Sequence, residues 1–155
     1  MNPKVHYIPA GHRAVTPYLI LHDAARAIEF YQQVFGAREL ARMPSPDGKI
    51  AHAEIQIGDS AVMLADESPH FMARGPVSYG GTPVLLALYV EDCDAVVAKA
   101  LALGAKMVRP VEDQFYGDRS GTLTDPFGHL WTVATHKEDL TLEEIQRRAA
   151  ACGSK

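Results

Sequence analysis

The chain carries one order of sequence patterns twice, and this duplication limits the available folds more than any other feature. In the first copy an apolar run of strand length, Val15–Leu21, precedes a helical pattern that starts after Asp23 and ends at Gly36. Aspartate accepts hydrogen bonds from the free N–H groups that open a helix, and glycine tolerates the left-handed conformation that closes one. Three strand-like runs follow, at residues 37–43, 50–57 and 60–66. The order predicts a βαβββ module.

The second copy repeats this order between residues 83 and 136. The run Pro83–Val90 is again apolar, and the helical pattern after Asp92 ends at Gly104. Strand-like runs follow at residues 105–111, 119–125 and 129–136. A long period that occurs only twice indicates two copies of a supersecondary module and not a solenoid.

The two copies align through their helix-ending glycines. Placing Gly36 on Gly104 also places Asp23 on Glu91 and Ile55 on Leu123. The second hairpin turn, Asp-Pro-Phe-Gly, is longer than the first, and the alignment predicts two extra residues there.

The boundaries between these patterns predict one domain over residues 1–155. Module one covers about residues 15–66, a linker rich in Gly, Pro and Ser covers residues 67–82, and module two covers about residues 83–136. A loop as long as this linker can also act as a lid over a site. The capping sequence that begins at Thr141 predicts a C-terminal helix at about residues 141–151.

Composition excludes several classes of protein. The formal net charge of −4 argues against a nucleic-acid-binding protein, which would normally carry a basic stripe. The two cysteines, Cys93 and Cys152, do not have the spacing of a metal site. No apolar run is long enough to cross a membrane, and the first residues do not resemble a signal peptide. These features predict a cytoplasmic protein without nucleic-acid or membrane partners.

Four segments also resemble a known family. They are HAEIQIGDS, LYVEDCDA, DQFYGDRSGTLTDPFGHLWTVATH and TLEEIQRRA. They are similar to the PhnB-like branch of the vicinal oxygen chelate superfamily, which includes glyoxalase I, extradiol dioxygenases and the bleomycin and fosfomycin resistance proteins. The resemblance implies an α+β fold in which two βαβββ modules form a curved mixed sheet around a cavity, with the helices outside. It also implies a homodimer.

Metal-dependent members of this superfamily hold a divalent ion through His and Glu on the first and last strand of each module. The positions that match in this chain are Thr16, Leu64, Leu85 (or Val84) and Thr132. Two aliphatic and two hydroxyl side chains do not make a site for a catalytic divalent cation. We therefore expect no metal and no other cofactor.

Strand alternation indicates which polar residues share the cavity face. In the run 50–57 one face is formed by Ala51, Ala53, Ile55 and Ile57, so His52 and Glu54 point to the other. Residues two apart on a strand lie roughly 6–7 Å apart, near enough to act on one ligand but not well placed to bond directly. The predicted ligand-binding residues are Thr16, Tyr18, His52, Glu54, Leu64, Leu85, Tyr116, Thr122, Thr132 and His136, with Phe115 as further contact area.

Other interpretations of these residues stay open. His52 and Glu54 can form an acid/base pair, orient a ligand, or simply be polar residues on a wet sheet face. A metal bound by His52, Glu54 and His136 is a further alternative. The histidines of the N-terminal arm, His6 and His12, are expected to be solvated.

These patterns favour a metal-independent small-molecule-binding protein whose ligand lies in the cavity between the modules. The alternative is an enzyme of the lyase, isomerase or dioxygenase type, with Glu54 or His52 as catalytic acid or base and with or without a divalent metal. A scaffold dimer without a ligand is a third hypothesis. The sequence does not identify the ligand, and the site could lie within one chain or across a dimer.

Overall fold

The computed structural model describes residues 5–152. The chain forms two compact units, and the boundary between them falls at Gly80–Gly81. Each unit contains one module, and the two are described separately below. Within residues 5–152, no helix has the length and apolar character needed to cross a membrane.

Unit 1 folds as the first predicted module. Its elements are β1 (Tyr18–Leu21), α1 (Ala24–Phe35), β2 (Arg38–Pro44), β3 (Ile50–Ile57), β4 (Ser60–Asp66), a 3₁₀ turn (Pro69–Phe71) and α2 (Pro76–Tyr79). The four strands form a mixed sheet in the order β1-β4-β3-β2. The pair β1–β4 is parallel, and the other two pairs are antiparallel.

Unit 2 has the same plan. Its elements are β5 (Leu85–Tyr89), α3 (Cys93–Ala102), β6 (Lys106–Asp113), β7 (Asp118–Thr124), β8 (Leu130–His136) and α4 (Leu142–Cys152). The sheet order, β5-β8-β7-β6, repeats that of unit 1, and β5–β8 is again the parallel pair. The prediction of an α+β fold with two βαβββ modules is confirmed.

The helix ends follow the predicted local chemistry. The side chain of Asp23 accepts a hydrogen bond from the N–H of Arg26, and Asp92 does the same for Ala95. Gly36 ends α1 in the left-handed conformation, with a φ of 65°. Because Asp92 performs the role of Asp23, the alignment of Asp23 with Glu91 is wrong by one residue.

Each sheet packs its own helix on one face. Helix α1 contacts all four strands of unit 1, and α3 contacts three strands of unit 2. Along β3 the side chains of Ala53, Ile55 and Ile57 are buried towards α1, whereas His52 and Glu54 point the other way and are half-buried. We call the face turned away from a unit's own helix its far face.

The two hairpins differ by one residue and not by two. Ile55 pairs with Val62 in unit 1, and its counterpart Leu123 pairs with Trp131 in unit 2. The chain between the paired positions is therefore one residue longer in unit 2 than in unit 1. Side chains alternate between faces, so this single residue changes which β4 side chains reach the far face.

Leu64 is consequently misplaced by the sequence-based alignment. It pairs with Ala53 and Leu19, is fully buried, and faces α1. Met63 pairs with Tyr18 and Glu54 and occupies the far-face position. The prediction that Leu64 lines a ligand site is wrong, because a leucine on the helix face contributes to the core.

A single carboxylate joins the helix, the parallel strands and β3 of unit 1. Asp66 accepts hydrogen bonds from the N–H of Ala24 at 2.8 Å and from the N–H of Ile50 at 2.7 Å. Thr135 performs the first of these roles in unit 2, where its hydroxyl accepts the N–H of Cys93 at 2.9 Å. These bonds fix the strand ends against the first turn of each helix.

The Asp-Pro-Phe-Gly turn of unit 2 is organised by Asp125. One carboxylate oxygen accepts the N–H groups of Phe127 and His129, both at 2.9 Å, and the other accepts the indole N–H of Trp131 at 2.9 Å. Asp125 is 4% exposed. The unusual composition of this segment therefore reflects the architecture of a turn.

We expect Asp125→Ala to lower the free energy of unfolding by about 3 kcal/mol, because it leaves three buried donors without their acceptor. Chemical denaturation followed by circular dichroism measures the change. Asp59→Ala, in the corresponding hairpin turn of unit 1, is the control, because Asp59 is 84% exposed and should change stability by less than about 0.5 kcal/mol. Equal effects of the two substitutions would show that the Asp125 bonds are not what stabilises the turn.

Candidate functional site

Unit 1 contains a cavity of about 800 Å³ beside its far face. Its floor is formed by strand residues, and its walls are the turn at residues 45–49 and the segment at residues 67–73. The floor residues are Tyr18, Ile20, Ile50, Ala51 and Ala65. Volumes of roughly 300–1,000 Å³ with mostly apolar linings are typical of small-molecule sites.

The wall that follows β4 is held by hydrogen bonds. Glu67 accepts the N–H of Gly75 at 2.7 Å, and Ser68 and Ala73 form an isolated β-bridge. The hydrogen bonds from Ser78 and from the Gly75 N–H lower the pKa of Glu67. A Cβ on Gly75 would lie 2.6 Å from the carbonyl oxygen of Ile20, so only glycine fits this close approach.

Three predicted site residues of unit 1 meet in a hydrogen-bonded series. The Tyr18 hydroxyl lies 2.9 Å from Nδ1 of His52, and Nε2 of His52 lies 3.2 Å from Oε1 of Glu54. The prediction that His52 and Glu54 are not well placed to bond directly is wrong. The glutamate side chain is long enough to cover the spacing of two residues along the strand.

A fourth member of the series, His12, was expected to be solvated, and that expectation is wrong. Its side chain is only 10% exposed, and its Nε2 lies 3.3 Å from Oε2 of Glu54. This is ion-pair distance, although the buried Nε2 of His12 forms no hydrogen bond. His12 precedes the first strand, so no periodic pattern could place it against the sheet.

The hydrogen bonds of the series determine which atom donates a proton and which atom accepts it. A neutral His52 that donates from Nε2 to Glu54 must accept at Nδ1, so the Tyr18 hydroxyl donates to it. Burial raises the pKa of Tyr18, which keeps the phenol protonated. The two oxygens of Glu54 face different imidazoles, so the three side chains do not converge on one point.

These donors do not fit the divalent ion of the metal-dependent superfamily members. On the first and last strands, which carry the ligands in those members, the far-face positions of unit 1 hold Tyr18 and Met63, and those of unit 2 include Leu85 and Thr132. A phenol, a thioether, an aliphatic group and a hydroxyl are not the His and Glu donors that such an ion requires. Among residues 5–152, no group of three or more His, Cys, Asp or Glu side chains could hold a metal ion.

The far face of unit 2 carries a different polar network. The buried carboxylate of Asp118 accepts the Tyr89 hydroxyl and pairs with Nδ1 of His136, both at 2.7 Å. Nε2 of His136 lies 3.0 Å from Asp139. The hydrogen bonds to Asp118 and then to Asp139 raise the pKa of His136.

The other predicted ligand-binding residues take no part in the Tyr18–His52–Glu54 series or in the Asp118 network. In unit 2 the hydroxyls of Thr122 and Thr132 lie 2.9 Å apart, and Tyr116 stacks edge-on against Phe115 in the turn before β7. Leu85 is half exposed at the start of β5. In unit 1, Thr16 precedes β1, and its hydroxyl donates to the carbonyl oxygen of Arg13.

The duplicated fold agrees with a sequence comparison. The model of the Glyoxalase/Bleomycin resistance protein/Dioxygenase superfamily matches residues 11–133. The chain belongs to this family, and the resemblance to it is confirmed.

Individual relatives extend this result. The Mycobacterium tuberculosis protein Rv0887c is 43% identical over 143 residues, which cover 90% of this chain and 84% of that protein. The crystal structure of TioX from Micromonospora sp. ML1 is similar, with a TM-score of 0.61, 29% identity, and coverage of 83% of this chain and 100% of TioX. The PhnB protein from Bacillus cereus shares the fold, with a TM-score of 0.63, 19% identity, and coverage of 79% and 99%.

We expect Asp118→Asn to lower the pKa of His136, because the substitution removes the charged partner of Nδ1. Titration followed by NMR measures this pKa in both proteins.

Because the pKa of His136 is raised above 6.5 in the folded state, its protonation stabilises the protein below pH 6.5. This contribution disappears as the pH rises through the folded-state pKa. His136→Gln should therefore lower stability at about pH 5.5 but not at about pH 9. An equal loss at both values would contradict this linkage.

Proposed function

We propose that this chain is a metal-independent small-molecule-binding protein whose ligand occupies the cavity of unit 1. The cavity of about 800 Å³, with an apolar floor and a defined wall, is the observation that carries the proposal. Burial of apolar ligand surface against such a floor contributes roughly 25 cal/mol per Å² before the entropic cost of binding.

The polar groups around the cavity limit the chemistry of the ligand. The carboxylates of Asp66 and Glu67 already accept backbone N–H groups, so they need no ligand to satisfy them. Of the five floor residues, only Tyr18 has a polar group in its side chain, and the walls carry Asp47, Lys49 and His70. This arrangement favours a largely apolar molecule with few polar atoms.

The family itself is compatible with binding and with catalysis, because its description includes resistance proteins as well as enzymes. Metal independence is supported by the donor set, in which Met63 and Thr132 stand on the last strands of the two modules. Neither side chain replaces the carboxylate that a catalytic divalent ion would need. The proposed site lies within unit 1 alone.

We expect Ala51→Trp to weaken binding of the neutral dye Nile red at least about 10-fold, because the indole would occupy the volume beside this exposed floor residue. Fluorescence titration gives the dissociation constant. Ala98→Trp is the matched control, since Ala98 is exposed on α3, and it should leave the constant within about 2-fold of the unsubstituted value. Equal affinities of all three proteins would show that the dye does not bind in this cavity and would count against the proposal.

Elemental analysis tests metal independence. Protein purified without added metal should contain well below one equivalent of any divalent ion, and EDTA should leave Nile red affinity unchanged. A stoichiometric divalent ion whose removal abolishes binding would contradict the proposal.

A further inference from the structure

Tyr18 belongs to both features of unit 1, since it lines the cavity and it starts the hydrogen-bonded series. It is 48% exposed, and its ring lies edge-on against the His52 ring with centroids 5.4 Å apart. His52 and Glu54 do not line the cavity, and their side chains are about one-fifth exposed, at 20% and 22%. A molecule in the cavity would therefore contact Tyr18 and not the two side chains that continue the series from its hydroxyl.

The groups behind Tyr18 are arranged to receive its proton. Nδ1 of His52 faces the hydroxyl at 2.9 Å, and the imidazolium formed by proton transfer would lie 3.2 Å from the Glu54 carboxylate. Such a carboxylate stabilises the imidazolium and holds the ring in the required orientation. The second oxygen of Glu54 lies 3.3 Å from Nε2 of His12, so the carboxylate stands between two imidazoles.

We propose that unit 1 catalyses proton transfer to and from its bound molecule, with Tyr18 as the catalytic residue. The Tyr18 oxygen takes a proton from an acidic C–H or O–H of that molecule, and the phenolic proton passes to Nδ1 of His52. The electron pair of the broken bond stays on the bound molecule. Return of a proton by the reverse path restores the site, so no oxidant, reductant or other co-reactant is needed.

This activity rests on the proposed function, because the molecule must first occupy the cavity. It assigns His52 as the acceptor of the Tyr18 proton and Glu54 as the residue that positions His52, where the sequence suggested one of them as the catalytic acid or base. The substrate class is an apolar molecule with an acidic hydrogen, such as a carbon acid next to an electron-withdrawing group.

The probe 5-nitrobenzisoxazole tests the proposal, because it reacts in a single step that starts with removal of a proton. A base removes its C3 proton while the N–O bond breaks, and the product is a coloured cyanonitrophenolate. We expect Tyr18→Phe to lower the rate at least about 100-fold, the lower range for a general base. Tyr79→Phe is the matched control, because Tyr79 is 68% exposed on α2 and lies outside the cavity lining, and it should keep the full rate.

Glu54→Gln separates positioning from cavity structure. Loss of the carboxylate should lower kcat at least about 10-fold and leave KM within about 2-fold, because the cavity floor does not include Glu54. A rise in KM at constant kcat would mean that Glu54 only shapes the site, and it would overturn the assigned role.

Dye binding distinguishes the two levels of the proposal. If Nile red binding responds to Ala51→Trp while the unsubstituted protein and Tyr18→Phe react with the probe at the same rate, proton transfer by Tyr18 is refuted and the binding site stands. If binding does not respond to Ala51→Trp, the proposed function fails as well. Tyr18→Phe must retain the thermal midpoint of the unsubstituted protein, and a lower midpoint would attribute the lower rate to misfolding and also reject the assignment.

Discussion

The pairing register of the β3–β4 hairpin is the constraint on which the candidate site depends. It sets Met63 against Glu54, and the parallel pairing of β1 with β4 sets Tyr18 against the same methionine. Side chains alternate between faces, so a shift of one residue would turn Glu54 and His52 towards α1 and bury two polar groups in an apolar core. The cost of such burial is what makes the register unique. Tyr18, His52 and Glu54 share a face because the core cannot accommodate them.

The two modules keep one backbone plan and have diverged in chemistry at equivalent positions. Ile20 and Ile50 line the cavity of unit 1, and the corresponding places in the sheet of unit 2 hold Tyr89, near the end of the first strand, and Asp118, at the start of the third. Asp118 binds the Tyr89 hydroxyl and pairs with His136, so polar groups fill the place of the apolar floor. Duplication thus provides one frame for an apolar cavity and for an ionic network.

Without the ligands of a metal ion, the polar side chains near the cavity of unit 1 can form hydrogen bonds and transfer protons. Most carboxylates near the cavity are committed to the backbone, as Asp66 is to Ala24 and Ile50. Glu54 differs, because its partners are the imidazoles of His12 and His52, at 3.3 Å and 3.2 Å. Membership of a family with metal-dependent members does not require a metal where the donor atoms are a phenol and a thioether.

Local patterns were sufficient to predict the modules, both helix caps at Asp23 and Asp92, and the alternation that brings out His52 and Glu54, because each depends on neighbours along the chain. They failed at Leu64, because the length of a hairpin turn decides which face of the sheet this side chain is on. They also failed at His12, because it lies before the first strand and outside any helix or strand. The Tyr18–His52 contact joins residues from different strands, and the cavity wall depends on Glu67 binding Gly75. The amino-acid sequence by itself determined which elements form and which of their faces are polar, since propensity and periodicity act over a few residues. Only the tertiary structure decided which polar groups meet, because strand register and loop anchoring are set by packing between segments far apart in the chain.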